Sequence, residues 1–165
     1  MEQDRTVDPV DRALILCLAL LLLAGCSLPH VTVHEDPLTP AEHMTLGLAA
    51  LQRGDPVRAQ EECEDAGREP GALTCRADAL FLQNLPDKAE PLYRKALARD
   101  PKDHTALNNL AWLLYSRDKD LAEAEDLASR AVSLAPPERA ADYADTLNRI
   151  RTLRAARALG AQGAP

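Results

Sequence analysis

Four cysteines and four histidines are the residues of this 165-residue chain best suited to nucleophilic or metal chemistry, and their surroundings set them apart from one another. Cys17 lies inside an unbroken apolar run, Ala13 to Ala24, and Cys26 follows that run in Leu23-Ala24-Gly25-Cys26. The run is too short for a helix that spans a bilayer, which needs roughly 17–25 residues. It fits the apolar core of a secretory signal, which needs about 7–15. His30 and His34 have the i, i+4 spacing of a metal pair, but they stand in LPHVTVHEDPLTP, whose prolines and β-branched residues disfavour the helix that would bring them together. They read as linker histidines. His43 and His104 stand at helix starts with no carboxylate or cysteine partner that the sequence identifies. No G-x-S-x-G, H-E-x-x-H or phosphate-loop pattern occurs, so no catalytic residue, metal site or cofactor is expected and the chain does not read as an enzyme.

The tetrad Leu23-Ala24-Gly25-Cys26 resembles the lipobox of bacterial lipoprotein precursors in all of its positions. The resemblance implies that the Cys26 thiol, the strongest nucleophile such a position can hold, receives a diacylglycerol. The bond before it is then cut and the new amino terminus acylated. Stable anchoring takes two or more acyl chains. Residues 1–25 would thus be a signal peptide, and residues 26–39 the lipidated cysteine with a flexible linker. Ser27, rather than an aspartate, resembles lipoproteins sorted to the outer membrane, facing the periplasm. The leader departs from the family pattern in its charge, with Glu2, Asp4, Asp8 and Asp11 against Arg5 and Arg12.

Cys63 and Cys75 flank a turn containing Gly67, Pro70 and Gly71. In an envelope compartment that permits disulfides, they read either as a bond across an antiparallel helix pair or as two small buried thiols.

The elements that must position these residues are helices. Alanine and leucine recur at helical spacing between breaks at Gly54-Asp55-Pro56, Gly67 to Gly71, Asn84 to Pro86, Pro101 and Pro136-Pro137, and no segment alternates as a strand does. The breaks are phased with a repeat. Gly47, Ala59, Cys63 and Ala66 have the same spacing as Ala77, Ala89, Tyr93 and Ala96; Ala111, Ala124, Ala128 and Ala131 follow with one extra residue. Together with Pro101 and Pro136, these positions resemble the tetratricopeptide repeat, and the likeness is strongest in LPDKAEPLYRKALARDP and ALNNLAWLLYSRDKDLAEAEDLASRAVSLAP. It implies an all-α solenoid of helix-turn-helix repeats over 40–138, in copies at about 40–69, 70–103 and 104–138. Tyr143, Leu147, Ile150 and Leu153 form an apolar stripe expected to make a capping helix over 139–159, as repeat arrays require for solubility. A disordered tail is expected over 160–165.

In such an array the first helix of each pair lines the concave face, where a ligand is usually held. In register, that face takes Met44, Leu48 and Leu51, then Thr74, Asp78 and Phe81, then Asn108, Asn109, Trp112 and Tyr115. Amides beside aromatic rings can hydrogen-bond a peptide backbone and bury its side chains. The same residues could instead pack between helices or bond between repeats. Asn109 stands where peptide-clamping members often carry asparagine, but the lysines those members use have no counterpart here. A clamp for a terminal carboxylate is therefore not expected.

The chain carries a formal charge of −7, of which the leader supplies 2 − 4 = −2. An acidic, aromatic-poor chain is badly matched to a phosphate backbone, which excludes nucleic acid as the main partner. Arg149, Arg151, Arg154 and Arg157 form a basic stretch that suits either a solvated helix face or contact with anionic headgroups. These features describe a lipid-anchored adaptor that holds an envelope protein or peptide near the membrane, of the kind that assists assembly of secretion, pilus or outer-membrane machinery. An accessory subunit of an envelope peptidase or cell-wall hydrolase, or an oligomer stacked through its end helices, are the other readings.

Overall fold

Helix starts in this chain are marked by prolines and cap residues. Pro40, Pro56 and Pro86 each sit at a first helical position, where the missing N–H would have had no partner. Thr39 and Glu42 form a reciprocal capping box, with the Glu42 carboxylate accepting the Thr39 N–H at 2.7 Å. The carboxylates of Asp55 and Asp103 accept backbone N–H groups of Arg58 and Ala106 at 3.1 and 3.0 Å.

The computed structural model describes residues 36–162; Leu23 to Cys26, His30 and His34 lie outside the described residues. Those described form seven helices and no strand. They are α1 (Pro40–Gln52), α2 (Pro56–Asp65), α3 (Ala72–Leu82), α4 (Pro86–Arg99), α5 (His104–Ser116), α6 (Leu121–Leu134) and α7 (Ala140–Gln162). No helix among the described residues is long and apolar enough to cross a membrane.

Each helix packs on the next. In addition α1 touches α3, α3 touches α5 and α5 touches α7, whereas the backbones of α2, α4 and α6 stay apart, α4 and α6 being bridged by the Arg94–Glu123 ion pair. Helices that meet on one side and splay on the other make a curved stack. Its inner layer is α1, α3 and α5.

Close approach within each pair is set by small residues. Ala59, Ala77, Ala89, Ala111, Ala124, Ala128 and Ala131 are fully buried, and Gly47 is buried in the matching place of the first pair. The turn inside each pair needs a left-handed residue, supplied by Gly54, Asn84 and Asp118 at φ 73°, 61° and 51°. Those turns repeat in phase with the packing residues: 84 − 54 equals 77 − 47, and 118 − 84 equals 111 − 77. The first interval is four residues shorter than the second because α2 has 10 residues where α4 has 14, a loss of about one helical turn.

Tyr143, Leu147 and Ile150 of α7 are buried against the third pair, closing the end of the core. The helix runs to Gln162 rather than stopping at 159, so residues 160–162 extend it instead of joining a disordered tail. The one breaker there is Gly160, and a single glycine costs only about 1 kcal/mol in a helix. The charge of the α7 arginines is absorbed within the fold. Arg149 pairs with Asp145 at 2.6 Å, Arg151 and Arg154 share Glu125 of α6 at 3.0 and 2.6 Å, and Arg157 pairs with Asp118.

Candidate peptide-binding groove

Residues 48, 78 and 112 occupy one register position on α1, α3 and α5, and residues 51, 81 and 115 another, one turn further along. Leu51, Phe81, Leu82 and Trp112 wall a cavity of about 240 Å³ on the inner layer. Its polar members are Asp78, Tyr93 and Asn109, one from each of α3, α4 and α5.

Asp78 organises the polar floor. The Tyr93 hydroxyl donates to Asp78 Oδ1 at 2.5 Å, and Asn109 Nδ2 donates to the same oxygen at 2.7 Å. Asn109 Oδ1 in turn accepts from Asn108 Nδ2 at 3.1 Å. Burial pushes the Asp78 carboxyl up to about 6, against the pull of its two donors; Asp103 adds to the rise and Arg139 opposes it. The Tyr93 phenol is held above its ordinary value by burial and then by the Asp78 charge, so it remains a protonated donor.

The other expected groove residues are placed differently. Met44 and Thr74 share one register position and both meet the residue that precedes the next inner helix. Thr74 Oγ1 donates to Asp103 Oδ2 at 2.7 Å, and a Cβ on Gly71 would lie 3.1 Å from the end of Met44. Asn108 is buried, with its Oδ1 unpaired. Leu48 is exposed, outside the cavity lining. Tyr115 stacks on Trp112 with ring centroids 5.2 Å apart and lines a second, shallower cavity of about 490 Å³ with Asn148, Arg149 and Leu153 of α7. Leu82 and Tyr93 are the lining residues that the register argument did not select. Tyr93 carried a signal in the sequence, since it stands where the other copies have Cys63 and Ala128, and a buried phenol needs a hydrogen-bond partner.

Cys63 and Cys75 form a disulfide between α2 and α3, with Cα atoms 6.0 Å apart and both residues buried. By register, Cys63 corresponds to Tyr93 and Cys75 to Asn109. The junction between the first two pairs is therefore covalent, and the equivalent junction between the next two is the Tyr93–Asp78–Asn109 network. Gly47 makes room for the bond, because a Cβ there would lie 2.3 Å from Cys63 Sγ.

His43 has a carboxylate partner that the sequence did not identify. It is buried with Nδ1 2.7 Å from Glu62 Oε2, and Arg58 pairs with the other Glu62 oxygen. The partner lies on the neighbouring helix, 19 residues away, where sequence spacing gives no sign of it. His104 Nδ1 lies 3.0 Å from the Tyr143 hydroxyl, tying α5 to the capping helix.

The fold these elements define is a helix-turn-helix repeat solenoid of the tetratricopeptide type. Residues 76–139, most of the second pair and all of the third, match the tetratricopeptide repeat family. Among solved structures the chain is similar to the first tetratricopeptide repeat domain of Spaghetti (RPAP3), which was solved bound to the HSP90 peptide SRMEEVD. The identity is 21% and the TM-score 0.61, over 74% of this chain and 98% of that one. No curated protein matches the sequence.

Proposed function

We propose that this chain is a lipid-anchored adaptor that holds a peptide segment of another envelope protein in the groove of its repeat domain, close to the membrane. The observation that carries the peptide reading is the cavity itself, with Leu51, Phe81, Leu82 and Trp112 around a polar floor on the inner layer. Leu82 is 57% exposed, an apolar side chain left uncovered at the rim. The similar domain of Spaghetti is a peptide binder. Its peptide is acidic, however, and here Asp78 lies in the floor with no lysine among the lining residues, which disfavours an occupant of that charge.

The tether reading rests on Leu23-Ala24-Gly25-Cys26. The linker, residues 27–39, reaches at most roughly 45 Å when fully extended, which keeps the domain near the surface that holds the lipid. The fold is one used for protein contacts, which suits an adaptor.

A photo-crosslinking residue placed at Leu82 should trap a discrete partner in intact cells, and Trp112→Ala should abolish the product. The same label at Lys95, on an exposed face of α4, should not trap it. Equal trapping from both positions would refute the groove. Labelling with an acyl analogue should be lost in Cys26→Ser; retained label would refute the tether.

A further inference from the structure

The polar floor of the groove is built around one carboxylate, Asp78, and no cationic side chain lines the cavity. Tyr93 has a single O–H and gives it to Asp78; Asn109 gives one amide hydrogen to the same oxygen and receives one from Asn108. What remains for an occupant is Asp78 Oδ2 and the second lone pair of Asn109 Oδ1, beside the Trp112 indole N–H as a donor; the Tyr93 oxygen is already approached by the Asn109 amide. No lysine, arginine or histidine among the described residues forms an ion pair with Asp78. Arg139, the cation whose field reaches it, lies over the Tyr143 ring 5.4 Å from the centroid and within 3.8 Å of Asp142. Asp103, the carboxylate whose charge adds to the rise at Asp78, lines a different cavity and already accepts from Thr74 and from the Ala106 N–H. An occupant must therefore bring donors and positive charge, and the walls of Phe81 and Trp112 ask it to bring an apolar side chain as well.

We propose that the groove selects a peptide in which an apolar side chain, seated against Phe81 and Trp112, is followed closely by an arginine or lysine that bonds Asp78. This deepens the peptide reading given above and rests on it. The cation supplies the charge partner that the fold withholds from Asp78, and arginine, with its fork of donors, can also reach Asn109 Oδ1. Stacking of the guanidinium on Trp112 adds a second contact that an acidic or neutral side chain cannot make. Because burial holds the free carboxyl near 6, binding of a cation draws its proton away, and affinity falls as the pH drops below about 6. Asp103 and Arg139 are the charged groups that modulate this titration, and Tyr93 stays protonated throughout.

The test uses the full chain and acetylated, amidated peptide pools that share a fixed leucine flanked by arginine, by glutamine or by glutamate, with binding read by fluorescence anisotropy. The arginine pool should bind at least about tenfold tighter than the glutamine pool, the factor a charge-assisted hydrogen bond supports, and the glutamate pool weakest. Asp78→Asn, checked for folding by circular dichroism, should bring the arginine and glutamine pools together while leaving Trp112-dependent binding in place. Binding that needs Trp112 but shows no preference for arginine, or prefers glutamate, overturns the charge assignment and leaves the groove standing. Absence of binding by every pool, or binding indifferent to Trp112→Ala, overturns the groove and this proposal together. The ranking of the pools on the wild-type chain decides the matter even if Asp78→Asn fails to fold.

Discussion

Gly47→Ala is the substitution that most directly probes how the first two pairs are joined. At an unhindered site in the middle of a helix this change gains about 1 kcal/mol. Gly47 is not unhindered: the new methyl would lie 2.3 Å from Cys63 Sγ, 3.4 Å from Cys75 Sγ and 3.3 Å from the Cys63 backbone nitrogen. Neither sulfur can swing aside while bonded to the other, so α1 must move off α2 and α3. Overpacking of this kind costs about 1–3 kcal/mol, sometimes more, which leaves a net loss of about 0–2 kcal/mol after the propensity gain. In a Cys63→Ala, Cys75→Ala background the sulfurs are gone, and the same substitution should be neutral or stabilising by up to about 1 kcal/mol. The predicted coupling is thus about 1–3 kcal/mol, the overpacking cost alone, read as the difference between the two effects. Removing the bond itself costs about 3 kcal/mol for a loop of this length, and the cycle subtracts that. Urea unfolding of the four full-length proteins, with the slope checked for constancy, gives the values. Equal losses in both backgrounds would refute the claim that the glycine is there for the disulfide.

Two further perturbations separate the site from the scaffold. Asp78 has its folded-state value raised from 3.8 to about 6, so between those limits the folded chain binds the extra proton and this group's contribution to stability improves as the pH falls from about 7 toward 4. Asp78→Asn should remove that component of the pH profile, measured by thermal melts at matched ionic strength; an unchanged profile would mean that the carboxyl is not buried as described. Ile150→Ala, at a fully buried position of α7, should cost about 2–5 kcal/mol. It should also raise hydrogen exchange in α7 and α6 before α1 and α2, and uniform loosening would contradict the stack order.

The periodic features of this fold were legible in the sequence because they follow from local rules. Small residues at Ala77, Ala89 and Ala96 and again at Ala111, Ala124 and Ala131 announce where helices touch, and Gly54 and Asn84 announce two of the turns between them, whereas the left-handed turn at Asp118 carried no such signal. Half of the groove followed from register alone: Leu51, Asp78, Phe81, Asn109 and Trp112 lie together as the spacing requires. Thr74 and Met44 did not join them, because that register position meets the residue capping the next inner helix, a contact that depends on the stagger between pairs. Pairings such as His43 with Glu62 and Tyr93 with Asp78 connect different helices through side-chain tips. Nothing in a one-dimensional period encodes where such tips end.

The two equivalent junctions also differ mechanically. Cys63 and Cys75 weld α2 to α3, so the first pair and the start of the second swing as one stiff block. The next joint has no covalent link: Tyr93 and Asn109 meet on one carboxylate oxygen of Asp78, Thr74 donates to Asp103 and Arg94 pairs with Glu123. A load that enters at α1 therefore crosses a covalent link to reach α3, whereas from the second pair to the third it crosses contacts that can break and re-form. Under the proposed tether, a pull on the anchor and the grip on an occupant would meet at that second junction.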